Sequence, residues 1–231
     1  MRTLLALPLV ACTTVESPFS RVTPQVQVES NPGNVAGRRD FSLALTTWND
    51  LDVLADAIDA NEISATLDGA ALAIDPSTTG YADGRDSYTA TFERATARSA
   101  TEPTTTSRIA ISDGEITWSV DIANLFANDL ALEAPLATGS NTFVWPSAAA
   151  TGPYSNIDWA CIAVGDQAPA CGGYDVDVPA IEVSQQFIVA SVNAAPSTPV
   201  IVTGERNADT DTGDDGPVFF TRIYDRLALT R

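Results

Sequence analysis

Short apolar alternations, separated by turn residues, constrain the fold of this chain most strongly. Val26 and Val28 alternate with polar residues, and Phe41, Leu43 and Leu45 repeat the pattern farther along. A period of two places successive side chains on opposite faces of a β-strand, one face buried and one exposed. The sequence therefore predicts half-buried strands over most of its length and a mainly β fold.

Several turns between these strands have a clear signature. Asp68-Gly69 and Asp113-Gly114 each lie between two apolar alternations, and Asn31-Pro32-Gly33-Asn34 lies between the first two strands. Asp-Gly favours the positive φ angles of tight hairpin turns, and Asn, Pro and Gly favour turns generally. These segments predict hairpins between strands that are close in sequence.

One helix interrupts the strands, near residues 49–60. Its apolar positions are spaced i, i+3, i+4 and i+7, which places them on one helical face: Leu51, Leu54, Ala55 and Ile58. Asn49 or Asp50 is expected to cap its beginning, because a side-chain oxygen can accept a hydrogen bond from a free amide there.

The pair Ala134-Pro135 predicts a boundary between two domains. Residues 22–134 form the first β-sandwich-like domain, with the helix, and residues 135–231 the second, with strands predicted at 143–145, 157–164, 174–183, 187–192, 200–203 and 218–229. Trp159-Ala160-Cys161 resembles the aromatic-x-Cys of immunoglobulin strand F, although no partner cysteine lies on an earlier strand. The prediction is two β-sandwich-like, immunoglobulin-like halves.

The N-terminus has the layout of an export signal. Arg2 supplies one positive charge, Leu4–Val10 is an apolar run, and a small residue, Ala11, precedes Cys12. The run is too short to span a membrane, which takes roughly 20 apolar residues. Residues 1–11 are predicted to be a signal peptide, and residues 12–21 a polar tether.

The segment Leu9-Val10-Ala11-Cys12 resembles the lipobox of bacterial lipoproteins. This resemblance implies that the chain is cut before Cys12 and that Cys12 carries lipid, which would anchor the protein to the membrane. Thr13, in place of Asp, implies transport to the outer membrane. The order of helix, hairpin and second half is also similar to that of uncharacterised envelope lipoproteins of myxobacterial type, and this similarity implies no known activity.

The composition excludes one class of partner. Thirty acidic residues stand against 12 basic ones, every base is Arg, and the formal net charge is −18. Nucleic acids bind to clustered positive charge, so we expect no nucleic-acid partner. Such a charge chiefly maintains solubility.

Cys161 and Cys171 remain as a pair if Cys12 is lipidated, and export would allow them to form a disulfide. A zinc site is the alternative, but the sequence has no His and, with Cys12 lipidated, no further Cys to complete the usual four ligands. We therefore predict the disulfide.

One acidic segment is a candidate calcium site. Its carboxylate and amide side chains alternate on a glycine-containing segment, as in calcium-binding loops, through Asn207, Asp209, Asp211, Asp214 and Asp215. The pattern departs from an EF-hand, because Thr212 occupies the glycine position and Val218 the position of the bidentate Glu. The alternative is a solvated loop that joins two strands.

Three hypotheses for function follow. The first is a membrane-anchored envelope lipoprotein that binds or scaffolds an envelope protein or glycan without catalysis, since the chain has no His, no Lys and no catalytic motif. The second is a carbohydrate-binding or calcium-stabilised adhesion module with exposed aromatic rings. The third is a hydrolase that uses paired carboxylates, such as Asp50 with Asp52. The first two require no cofactor other than calcium.

Overall fold

The computed structural model describes a set of segments along the whole chain. They are residues 16–32, 38–92, 98–99, 106–126, 131–132, 141–144, 159–164, 170–172, 180–183, 200–213 and 216–229. The predicted signal peptide, Cys12, the pair 134–135 and the strand predicted at 187–192 lie outside the described residues.

The described residues form mostly strands. Two α-helices, α1 (Pro18–Arg21) and α2 (Leu51–Asp59), and one 3-10 turn (Asp83–Arg85) accompany sixteen strands. In chain order the strands are β1 (Gln25–Pro32), β2 (Arg38–Thr47), β3 (Ser64–Leu67), β4 (Ala70–Leu72), β5 (Ile74–Ala82), β6 (Ser87–Phe92), β7 (Arg98–Ser99), β8 (Thr106–Ser112), β9 (Thr117–Ala123), β10 (Ala131–Leu132), β11 (Asn141–Val144), β12 (Trp159–Val164), β13 (Ala170–Gly172), β14 (Ala180–Val183), β15 (Val200–Asp211) and β16 (Val218–Leu229). The predicted mainly β fold is confirmed.

The largest sheet has nine strands and contains both ends of the described chain. Its order is β13-β12-β15-β16-β1-β2-β6-β5, with β7 beside β2. Strand β1 pairs with β16 in parallel and with β2 in antiparallel orientation. Strands from both predicted halves therefore share one sheet, and the boundary predicted at residues 134 and 135 does not separate two sheets.

A second sheet packs against the first across one core. It has the order β4-β3-β8-β9, and a third sheet has the order β10-β11-β14. Apolar residues of the first two sheets and of both helices form a single buried cluster, which includes Val26, Val28, Phe41, Leu43, Leu54, Ile58, Ile109, Ile111, Phe219 and Ile223. Two sheets facing each other over a common core are compatible with the predicted β-sandwich-like fold.

Strand β1 shows how the alternation in sequence becomes burial. Val26, Val28 and Ser30 are buried, whereas Gln25 and Gln27 are exposed. The buried face of β1 continues onto β16, because Val26 and Phe219 are register partners. Gln25, Gln27 and Glu29 consequently lie on the outer face of the large sheet.

The helix prediction is confirmed, but the predicted cap is wrong. Helix α2 buries Leu54, Ala55, Ala57 and Ile58. Asp50 occupies the N-cap position with φ 47° and ψ 47°, and its side chain makes no capping hydrogen bond. A left-handed residue turns the chain sharply between β2 and α2, and this turn replaces the expected cap geometry.

Both Asp-Gly hairpins are present. Asp68 and Gly69 have φ angles of 51° and 79°, the two positive values that a two-residue type I′ turn requires. Gly114, at φ 92°, follows Asp113 between β8 and β9. The residues after Pro32 in the first predicted turn lie outside the described residues.

A buried arginine joins the first two strands to the last one. Arg39 in β2 is 1% exposed. Its Nε donates a hydrogen bond to Ser30 Oγ at 3.1 Å, and its guanidinium also donates to the carbonyl oxygens of Ser30, at 3.0 Å, and Tyr224. One side chain thus links β2, β1 and β16 at the point where the N- and C-terminal strands meet.

We expect Arg39→Met to lower the free energy of unfolding by about 3 kcal/mol, because buried oxygens of Ser30 and Tyr224 would lose their donor. Urea unfolding followed by circular dichroism measures the change. Arg108→Met is the matched control, since Arg108 is 65% exposed and its ion pair with Asp121 is 3.9 Å long. A variant at Arg39 that is as stable as the control would contradict this role.

Thr221 in β16 offers a second test of the core. It is 1% exposed, and its hydroxyl oxygen has no hydrogen-bond partner within the part of the chain that the structure describes. Burying an unpaired hydroxyl is unfavourable, so Thr221→Val should raise the free energy of unfolding by about 1 kcal/mol. Thr221→Ser keeps the hydroxyl and removes a methyl group, and should be destabilising. A loss of stability in the Val variant would show that the hydroxyl has a partner.

Candidate functional site

The segment before β1 is docked onto the body of the protein. Phe19, in α1, is 4% exposed, and its ring centroid lies 4.5 Å from that of Trp118 in β9. The Phe19 amide donates a hydrogen bond to Asp113 Oδ2 at 2.8 Å, and Ser17 Oγ donates to the same oxygen. An apolar ring and two hydrogen bonds therefore hold residues 17–21 of the predicted tether in place.

Asp113 organises this docking site from the β8–β9 turn. Its other carboxylate oxygen accepts hydrogen bonds from the amides of Glu115, at 3.0 Å, and Ile116, at 2.7 Å. Partial burial raises the pKa of Asp113, but the hydrogen bonds from Ser17, Ile116, Phe19 and Glu115 lower it by more. The net pKa lies below its ordinary value, so the charged carboxylate is the form that holds the segment.

Trp118 also contacts the turn that precedes the last strand. A Cβ atom added to Gly216 would lie 3.3 Å from Trp118 Cδ1 and 2.0 Å from Thr212 Oγ1. Only glycine fits at this position without displacing its neighbours. Trp118 therefore joins the docked N-terminal segment, the β8–β9 hairpin and the turn before β16.

A polar groove lies on the outer face of the large sheet, where β15, β16 and β1 run side by side. Its volume is about 320 Å³. We name it the sheet-face groove, and the side chains that define it are Gln25, Gln27, Glu29, Asp209, Phe220 and Arg222.

The strand register arranges the groove in rows. Asp209 and Gln27 are both register partners of Phe220, one from each neighbouring strand. Glu29 is the partner of Arg222 in the next row. Adjacent strands are about 4.8 Å apart and rows on one face about 6.7 Å apart. The Phe220 ring is therefore flanked by an amide and a carboxylate, within reach of a second carboxylate.

Arg222 has partners of its own at the edge of the groove. Its Nε lies 3.9 Å from Glu205 Oε1. Partial burial lowers the pKa of Arg222, but Tyr224, Glu205 and Glu29 raise it by more, so the net pKa is raised. Burial, followed by the charges of Glu205 and Glu29, raises the pKa of Tyr224. The guanidinium charge is thus balanced by two carboxylates.

The predicted calcium loop has a different structure from the one expected. Asn207, Asp209 and Asp211 belong to strand β15 and pair with β16, whereas a calcium loop would wrap its ligands around one ion. Asp214 and Asp215 lie outside the described residues. Within the described residues, no group of three or more His, Cys, Asp or Glu side chains could hold a metal ion.

The predicted cysteine pair lies on neighbouring strands. Cys161 in β12 and Cys171 in β13 are direct register partners. The sequence did not predict β13 as a strand, because its residues, Ala170-Cys171-Gly172, carry no alternation. Cys161 is not a free thiol.

The second functional hypothesis requires exposed aromatic rings. Trp48 and Tyr81 are the exposed large apolar residues of the described chain, at 52% and 43%, whereas Trp118 packs against Phe19. The Tyr81 hydroxyl donates a hydrogen bond to Asp52 Oδ1 at 3.0 Å. Trp145 and Tyr154, which could also supply rings, lie outside the described residues.

The sequence matches no protein-family model and no curated protein. Neither helix of the described residues has the length and apolar composition needed to cross a membrane. Sequence reasoning found Asp209 but not the groove, because the groove depends on the pairing of β1 with β16, which are far apart in the chain.

We expect Asp113→Asn to lower the free energy of unfolding at pH 6 by about 1.5 kcal/mol, because the hydrogen bonds to Ser17 and Phe19 lose a charged acceptor. A depressed pKa stabilises the fold above the unfolded-state value of about 3.9, and this contribution is lost as the pH falls through the folded-state pKa. The difference between variant and wild type should therefore be smaller at pH 3 than at pH 6.

Urea unfolding at both pH values, together with hydrogen exchange of the Phe19 amide, measures this effect. Glu115→Gln is the control, since it removes one charge from the same turn and leaves the Asp113 carboxylate intact. Equal protection of the Phe19 amide in Asp113→Asn and wild type would contradict the docking role of Asp113.

Proposed function

We propose that this protein is a lipid-anchored lipoprotein of the bacterial cell envelope that binds a partner without catalysis. The observation that carries the proposal is the docked segment at residues 17–22, which begins five residues after Cys12 of the lipobox-like sequence. A lipid on Cys12 would then be joined to a folded body by very little chain. The predicted outer-membrane location rests on Thr13.

The length of this connection limits where the body can lie. Five residue steps separate Cys12 from Ser17, and an extended chain spans at most about 3.6 Å per residue, or about 18 Å here. With its sulfur acylated at the membrane surface, Cys12 would hold the end of the body that carries Asp113 close to the bilayer. More than one acyl chain makes such an anchor durable.

The absence of His and Lys from the whole sequence favours binding over catalysis. Triads and dyads that depend on these residues are excluded. Of the carboxylates considered for a hydrolase, Asp50 and Asp52 are exposed to solvent at the start of α2. The polar, open groove is instead typical of a recognition surface.

A disulfide between Cys161 and Cys171 supports the envelope location. Directly opposed residues of antiparallel strands have Cα atoms about 4.5 or 5.5 Å apart, and disulfides span about 4.4 to 6.8 Å. The loop that this bond closes is short, so we expect it to contribute about 3 kcal/mol to stability. Such bonds persist in oxidising compartments outside the cytoplasm.

A carbohydrate-binding module is the second candidate. The observation that favours it is Trp48, whose side chain is half exposed at the end of β2. An exposed indole ring can stack on a sugar ring. This function would be compatible with the same lipid anchor.

The intact mass of the protein extracted from its native membranes tests the anchor. We expect a chain that begins at Cys12, carries added acyl mass, and is two hydrogens lighter than its reduced form because Cys161 and Cys171 are joined. Cys12→Ser should leave the protein unprocessed and free of acyl mass. A native chain that retains Met1 and carries no lipid would overturn the proposal.

A further inference from the structure

The charges around the sheet-face groove indicate what kind of ligand it can accept. Glu29 and Asp209 line the groove, and Glu205 adjoins it. Arg222 is the basic residue among them, and its charge is balanced by Glu205 and Glu29. The electrostatic potential of the groove is therefore negative. The net charge of −18 of the whole chain makes this potential more negative. Charge complementarity therefore favours a cationic ligand.

Phe220 determines the chemical form of that cation. Its half-buried ring lies between Asp209 and Gln27 in the register of three adjacent strands. A guanidinium or ammonium group over an aromatic face gains cation–π energy, and a neighbouring carboxylate adds a charge-assisted hydrogen bond. An aromatic ring beside carboxylates suits the head group of an Arg or Lys side chain.

We infer that the sheet-face groove binds an extended basic segment of a partner protein, with one Arg or Lys side chain over Phe220 between Asp209 and Glu29. The amides of Gln25 and Gln27, on the exposed face of β1, are placed to bond the backbone of that segment. A groove of about 320 Å³ lies at the small end of the range for ligand sites, which fits one side chain with its flanking backbone. This inference rests on the binding part of the proposed function and does not depend on the anchor.

An anion is a poor occupant of the same groove. It would have to approach Arg222 past Glu29 and Glu205, and the attraction to one guanidinium would be offset by the repulsion of two carboxylates. A neutral oligosaccharide would gain nothing from the charge of the groove. A basic peptide and a neutral oligosaccharide therefore differ in one measurable property, which is the dependence of their binding on salt concentration.

The test uses the full-length chain with Cys12→Ser, so that binding is measured without lipid. The probes are a capped pentapeptide of alternating glycine and arginine, the same peptide with glutamine in place of arginine, and a neutral glucose hexasaccharide. Isothermal titration calorimetry at two salt concentrations measures each affinity. We expect the arginine peptide to bind and to weaken as salt rises, and the other two probes to show no binding.

Two variants locate the binding. Asp209→Asn should weaken the arginine peptide about tenfold through the loss of a charged partner, and Phe220→Leu about fivefold through the loss of the cation–π contact. Glu62→Gln is the matched control, since it removes one charge from an exposed residue between α2 and β3, outside the groove, and should leave affinity unchanged.

Equal affinity for the arginine and glutamine peptides, binding of the hexasaccharide alone, or an arginine affinity that Asp209→Asn leaves intact would each overturn the inference. These results are independent of the anchor. If the native chain is lipidated but binds no basic peptide, only the proposed ligand is overturned. If the native chain carries no lipid but binds the basic peptide, only the proposed anchor is overturned.

Discussion

The parallel pairing of β1 with β16 is the interaction on which the rest of the structure depends. It joins a strand that begins at residue 25 to one that ends at residue 229, so the largest sheet unites strands from distant parts of the sequence. Arg39 reinforces the junction with hydrogen bonds to Ser30 and to the Tyr224 carbonyl. Bringing such distant segments together costs loop-closure entropy. The burial of apolar side chains on the shared face of β1 and β16, including Val26 and Phe219, offsets this cost.

This junction brings the docked N-terminal segment and the sheet-face groove into one body. The docked segment at residues 17–22 leads directly into β1, and Trp118 contacts both that segment and the turn before β16. The outer face of the same strands forms the sheet-face groove. A lipid on Cys12 would thus hold the groove at a limited distance from the bilayer, which suits a protein that captures a partner at the membrane surface.

Local features were predictable from the sequence, and long-range ones were not. The strands, α2 and the turn at Asp68-Gly69 follow from alternation, helical spacing and turn chemistry, which act within a few residues. The docking of Phe19 was missed because its partners, Asp113 and Trp118, lie about ninety residues away. The sequence predicts a loop for the acidic segment because Asp209 and Asp211 have low strand propensity, but pairing with β16 places both residues in β15. The sharing of one sheet by strands from before and after residues 134 and 135 was not predictable for the same reason.

Native-state hydrogen exchange of β1 and β16 tests the central claim most directly. If β1 and β16 depend on each other, they unfold together. The slowest amides of both strands should then exchange with the same opening free energy, equal to the free energy of global unfolding. Arg39→Met should lower both values equally. Amides of β16 that exchange at a clearly lower free energy than those of β1 would show that the C-terminal half unfolds separately, and would contradict a single body built on this pairing.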